Sequence, residues 1–90
     1  MNAVIYPNPA NGETVYLHVS LRQTQDVSVK VYSTAYRKIL ERTFAGLGAG
    51  ITDLPLAVKD NSGIQLANGV YYIFVQAGNE QVMRKLLVLR

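Results

Sequence analysis

The sequence predicts an all-β fold, an antiparallel sandwich of about seven short strands. Three observations point to it. Apolar residues recur at every second position, at Val15, Leu17, Val19 and Leu21 and again at Val27, Val29 and Val31. Turn chemistry separates the apolar segments, at Pro7-Asn8-Pro9, Asn11-Gly12, Asp60-Asn61-Ser62-Gly63 and Gly78-Asn79. No segment carries a convincing helical pattern.

Val4-Ile5-Tyr6 opens the chain as a short strand, stopped by prolines that fix φ and remove donors. Glu13 to Leu21 alternates cleanly and predicts a half-buried strand; Val27 to Tyr32 predicts a second. Ser33 to Arg37 is a turn, and Lys38 to Phe44 a further strand. Ala45 to Gly50 holds three glycines and is expected to be irregular. Ile51 to Leu56 is a strand placed at a sheet edge, because Pro55 lacks an N–H for the ladder.

Val70 to Val75 is β-branched or aromatic at every position and is expected to be the central strand, covered at least in part on both faces. If Phe74 is buried there, Phe74→Ala removes roughly 3–5 kcal/mol. Gly78-Asn79 suits a two-residue turn pairing Val75 with Val82, Phe74 with Met83 and Tyr71 with Leu86. The last strand, Gln81 to Leu89, is apolar on both faces at Leu86-Leu87-Val88-Leu89 and is expected to be covered like its partner. This pattern is that of an immunoglobulin or fibronectin type III sandwich, with a small barrel as the alternative.

The chain of 90 residues makes one domain, with stability of roughly 5–10 kcal/mol. At 49% apolar and 17% charged residues it fits a packed core rather than a disordered tail. No apolar run approaches the roughly 20 residues of a membrane helix, so no membrane insertion is expected. There is no cysteine, hence no disulfide or thiolate metal site. The net charge of +3 is spread along the chain, unlike the concentrated charge of a nucleic-acid binder. The segment before Pro7 has neither the basic nor the apolar run of a signal peptide. Of the two readings, an intracellular protein or a piece of a longer exported chain, the second is favoured.

Catalytic signals are absent. His18 is the only histidine and lies on the polar side of its strand, with no cysteine and no nearby carboxylate expected. One histidine does not make a histidine-based zinc site. The six carboxylates are far apart, and the serines lack a glycine-flanked nucleophile elbow. The glycines of 46–50 are not followed by Lys-Ser or Lys-Thr, which argues against a phosphate loop. Asp60-Asn61-Ser62-Gly63 has oxygen ligands for calcium but lacks the EF-hand pattern and reads as a turn. The six tyrosines offer a platform for sugars, although strand tyrosines more commonly pack across neighbours. No enzyme activity and no cofactor are expected.

Three segments resemble a known family. Tyr6-Pro7-Asn8-Pro9 is similar to the opening of the C-terminal sorting domains of type IX (Por) secretion substrates. Leu66-Ala67-Asn68-Gly69-Val70-Tyr71 resembles that family's glycine-x-tyrosine motif, and Lys85-Leu86-Leu87-Val88-Leu89-Arg90 its lysine-led final strand. Lys59 to Gly63, followed by Ala67 to Tyr72, also resembles the immunoglobulin-like domain of flagellar hook-capping proteins. Two positions depart from these patterns. Tyr36 stands where a glycine commonly precedes the basic residue, and since tyrosine resists positive φ the turn is expected to take another shape. Ala67 stands where the sorting family often has proline.

The resemblance implies a non-catalytic C-terminal module of a larger exported protein, joined covalently to an N-terminal parent domain. It would be recognised by secretion machinery proteins and lie secreted or at the cell surface. The segments implied as recognised are Gly69, Tyr71 and Lys85, Leu86, Leu87, Val88, Leu89 and Arg90. A terminal strand offers backbone hydrogen bonds to another sheet edge, which is one way to be recognised. Tyr71 and Leu86 have core chemistry as well. The alternative functions are a structural spacer or assembly module and a carbohydrate-binding accessory domain.

Overall fold

The computed structural model describes residues 1–90. The chain forms β1 (Asn2–Tyr6), β2 (Thr14–Leu21), β3 (Gln25–Tyr32), β4 (Lys38–Leu47), β5 (Gly50–Ala57), β6 (Gly69–Ala77) and β7 (Glu80–Val88). One sheet runs β1-β2-β5 and the other β4-β3-β6-β7, with every pairing antiparallel. Two open sheets make a sandwich rather than a barrel. The fourth strand lies beside β3 instead of β5, which is the fibronectin type III arrangement rather than that of a constant immunoglobulin domain.

Alternation decides which side chains enter the core. Val15, Leu17, Val19 and Leu21 from β2 meet Val27, Val29 and Val31 from β3, all buried. Ile73, Val75 and Ala77 from β6 and Leu86 and Val88 from β7 complete the centre of the larger sheet. Every one of the 20 buried residues is apolar, and no buried side-chain polar atom lacks a partner. The expected hairpin register holds: Val75 pairs Val82, Phe74 pairs Met83 and Tyr71 pairs Leu86. Pro55 lies on β5, an edge strand as expected.

Four expectations are corrected. Ala45 to Gly50 is not irregular: β4 continues to Leu47 and β5 begins at Gly50. Pairing with β3 and β2 overrides the local glycine preference, and the glycines bend the strand ends, Gly46 at φ 63° and Gly50 at φ 111°. Second, β6 is central in its sheet but dry on one face only. Val70, Tyr72 and Phe74 are half-buried on the outer surface, shielded by neighbouring side chains and by no third layer.

Third, β7 is an edge strand. Leu86 and Val88 are buried, Leu87 is half-buried, and Leu89 lies beyond the strand end and is 55% exposed. Fourth, Tyr36 does adopt positive φ, at 60°. The turn is closed by hydrogen bonds from Tyr36 N to Ser33 O (2.9 Å) and from Ser33 N to Arg37 O (2.9 Å). The Tyr36 ring lies against Tyr72, with planes 7° apart and centroids 5.6 Å apart.

Candidate functional site

The three family-like segments, far apart in sequence, meet at the C-terminal end of β7. Asn8 acts there as a surrogate strand residue: its Nδ2 donates to Lys85 O (2.8 Å), and its Oδ1 accepts from Leu87 N (3.0 Å). Two residues on, Ala10 N donates to Leu87 O (2.7 Å), and Leu89 N donates to Ala10 O (2.8 Å), a parallel bridge. Prolines at 7 and 9, each preceded by a cis peptide bond, bracket Asn8. They leave the side chain of Asn8, rather than their own missing N–H groups, to meet the strand.

The glycine-x-tyrosine segment closes the other side. Asn68 grips the main chain of Arg90, its Oδ1 accepting from Arg90 N (3.0 Å) and its Nδ2 donating to Arg90 O (3.4 Å). The Arg90 guanidinium reaches back to the carbonyls of Leu66 and, at 3.4 Å, Val58. Gly69 turns the chain into β6 at φ 152°. A Cβ there would meet nothing within 4 Å, so the glycine serves backbone conformation rather than space. Two residues on, the Tyr71 hydroxyl donates to Ala67 O (2.6 Å), four residues upstream. This is the tyrosine corner of sandwich folds, at the equivalent strand.

Each residue expected in the recognised segments is therefore placed. Gly69 and Tyr71 form the corner, Leu86 and Val88 lie in the core, and Leu87 is half-buried. Lys85, Leu89 and Arg90 are exposed, Arg90 with its guanidinium tied to backbone. The edge of β7 from Lys85 to Leu89 spends four of its backbone groups inside the domain, on Asn8 and Ala10. The expected pairing of this strand with a foreign sheet edge is thus pre-empted by the chain itself.

Asn8 and Asn68 were the residues sequence reasoning missed as structural clamps. For Asn8 the only available signal was its place between two prolines, which cannot extend a ladder, and Asn68 has only the turn chemistry of Asn-Gly.

A second polar cluster lies on the outer face of the smaller sheet. Antiparallel pairing sets His18 opposite Asp53, and His18 Nδ1 lies 2.7 Å from Asp53 Oδ1, so the histidine does have a carboxylate neighbour. The same carboxylate, acting on the Tyr6 hydroxyl, pushes the phenol pKa up. The bond to His18 first, and the influence of the Tyr6 hydroxyl second, hold Asp53 below the usual carboxylate range. Tyr6 also stacks on Tyr16, with centroids 5.9 Å apart. His18 and Asp53 stand on an open sheet surface, with side chains 42% and 48% exposed. Nowhere do three or more His, Cys, Asp or Glu residues group as metal ligands would.

Comparison with known proteins gives this geometry a context. No curated protein sequence matches the chain. Among solved structures, dimeric latent PorU from Porphyromonas gingivalis superposes with a TM-score of 0.75 at 16% identity, covering 97% of this chain and 9% of that one. PorZ, an essential surface component of the type IX secretion system of the same bacterium, superposes with a TM-score of 0.70 at 20% identity, covering 99% of this chain and 12% of that one. The chain thus spans about a tenth of each neighbour, and the likeness is one of fold. Residues 4–89 match the secretion system C-terminal sorting domain family. The chain belongs to that family, whose members are the C-terminal signals that sort type IX secretion substrates to the cell surface or the medium.

Proposed function

We propose that this domain is the C-terminal module of a larger exported protein and that the export machinery recognises it folded, through the exposed side chains of the corner around Lys85 and Leu89. Gly69, Tyr71, Leu86, Leu87, Val88 and Arg90 contribute indirectly, by building and holding that corner. The observation that carries this reading is the internal use of the β7 edge by Asn8 and Ala10. A partner that needed those backbone groups would first have to displace four hydrogen bonds. Lys85 and Leu89, by contrast, present a charge and an apolar side chain to solvent without unfolding anything. On this reading the module itself is non-catalytic, and its one histidine–carboxylate pair sits on an open sheet surface.

The test fuses the domain behind a periplasmically exported reporter in a type IX-competent bacterium. The parent sequence is compared with the double variant Lys85→Gln, Leu89→Ser, and circular dichroism confirms that both fold. Reporter outside the cell with the parent but held in the periplasm by the folded double variant is the expected result. Equal release of both overturns the corner as the recognised surface. Retention of the parent fusion overturns sorting by this domain.

A further inference from the structure

The outer face of the four-stranded sheet carries an aromatic and basic surface, of which the proposed recognition corner uses only Lys85. Register places Tyr32 beside Tyr72, and Tyr72 beside Lys85; in the next row Lys30 lies beside Phe74, and Phe74 beside Met83. Tyr32 meets Phe74 edge to face, with centroids 5.3 Å apart and planes 81° apart. Tyr36 stacks on Tyr72 from the turn above. Lys30, Tyr32, Tyr36, Phe74 and Gln81 line a shallow groove between these rings.

Tyr36 is the informative residue. It is 67% exposed and holds a bulky side chain at φ 60°, where glycine would sit without strain. Solvent exposure alone gives no return for that cost, and an exposed ring stabilised from one side still offers its other face. The stack on Tyr72 orients the ring as a flat platform. The same groove is lined by residues able to hydrogen-bond or carry positive charge, Lys30, Gln81 and Tyr32. Lys38 lies on the same face and is ion-paired with Glu41, which also stands opposite Lys30 in the β3–β4 register.

We propose that this groove, with the exposed face of Tyr36 as its platform, binds an acidic saccharide. A sugar ring presents a C–H face that packs on an aromatic ring and a rim of hydroxyls that need hydrogen-bond partners. Here the platform and the polar rim occur together. Lys30 and Lys38 outnumber Glu41, the carboxylate that faces them both, so the charge left over on this face favours an acidic ring. A nucleic-acid base would also stack on tyrosine, but it comes with a phosphate track that needs a continuous line of cations. Lys30, Lys38 and Lys85 are instead dispersed across different strands, one of them neutralised by Glu41.

Two-dimensional NMR of the labelled domain tests this, with hexagalacturonate, neutral cellohexaose and a dT hexamer as probes. The expected result is shifts at Lys30, Tyr32, Tyr36, Tyr72, Phe74 and Gln81 with hexagalacturonate, and weaker or no binding of the other two. Tyr36→Gly removes the ring while keeping the backbone conformation, and lowers affinity roughly tenfold, the scale of one aromatic contact. Lys30→Gln lowers it for the acidic probe alone, and Tyr16→Ala on the opposite face leaves it unchanged. Shifts elsewhere, full binding by Tyr36→Gly, equal binding of the neutral probe, or tighter binding of the oligonucleotide each overturns the proposal.

Discussion

Removing Lys85 to Arg90 abolishes folding rather than merely deleting a recognition sequence. The segment supplies Leu86 and Val88, 2% and 0% exposed, to the centre of the core. Losing a buried leucine side chain costs roughly 2–5 kcal/mol and a buried valine about 1.5–3 kcal/mol. The segment also pairs Gly69 to Tyr72 across the sheet and satisfies Asn8 and Ala10 on its other edge. The side chains alone account for about 4–8 kcal/mol, against a total stability of roughly 5–10 kcal/mol for a domain this small. Circular dichroism and urea unfolding of the purified shortened chain are the assay. The expected result is loss of the strand spectrum and of any cooperative transition. A cooperative transition with a midpoint within about 1 M urea of the parent would refute the reasoning. A chain ending at Val88 keeps both core residues, and it is expected to remain folded at reduced stability because it gives up the Arg90 clamp on Leu66, Val58 and Asn68.

Three further outcomes follow from the geometry. Tyr71→Phe removes the hydroxyl bond to Ala67 O while keeping the ring, and is expected to cost about 0.5–1.5 kcal/mol by urea denaturation, with the fold retained. Tyr36→Ala keeps the positive-φ strain and loses the stack on Tyr72, whereas Tyr36→Gly relieves the strain, so glycine is expected to exceed alanine in stability by about 1–2 kcal/mol at this position. The folded pKa of Asp53 is depressed by His18 and Tyr6, so its contribution is present above the unfolded carboxylate pKa of about 3.9 and is lost as pH falls through the lower folded value. The urea midpoint of the parent is therefore expected to fall more steeply below about pH 4 than that of Asp53→Asn, and parallel profiles would show that the pair does not act this way.

The sandwich was legible because its strands obey the simplest rule available. Every second residue of β2 from Val15 to Leu21 and of β3 from Val27 to Val31 is apolar, and each of them is buried. The last hairpin was legible in register because Gly78-Asn79 leaves one good alignment of Val75 on Val82. What stayed hidden was set by pairing partners rather than by local chemistry. The glycines of Ala45 to Gly50 look irregular alone, yet Gly50 pairs Leu21 and Gly46 N donates to the Asp26 carboxylate (2.7 Å). His18 and Asp53 are 35 residues apart and meet only because β2 pairs β5. At the candidate site, the segments picked out by resemblance meet at one corner, but their contacts depend on Asn8 and Asn68 side chains substituting for a strand, for which alternation has no signature.

These contacts change what a loss of export means in such a domain. Gly69, Tyr71, Asn8 and Asn68 hold the C-terminal strand in place, so substitutions there act first on the folding equilibrium. With stability of only roughly 5–10 kcal/mol, a loss of 1–2 kcal/mol multiplies the unfolded fraction by about 5–30. A signal recognised in its folded form therefore keeps near-parental export after such a loss, because about 99% or more of the domain is still folded. A signal recognised as an extended tail gains from the same substitutions, because unfolding frees the edge groups that Asn8 and Ala10 occupy. Asn8→Ala separates the two: it releases Lys85 O and Leu87 N without touching the core, so export stays near the parental level in the first case and rises in the second. The internal clamp on β7 favours the first.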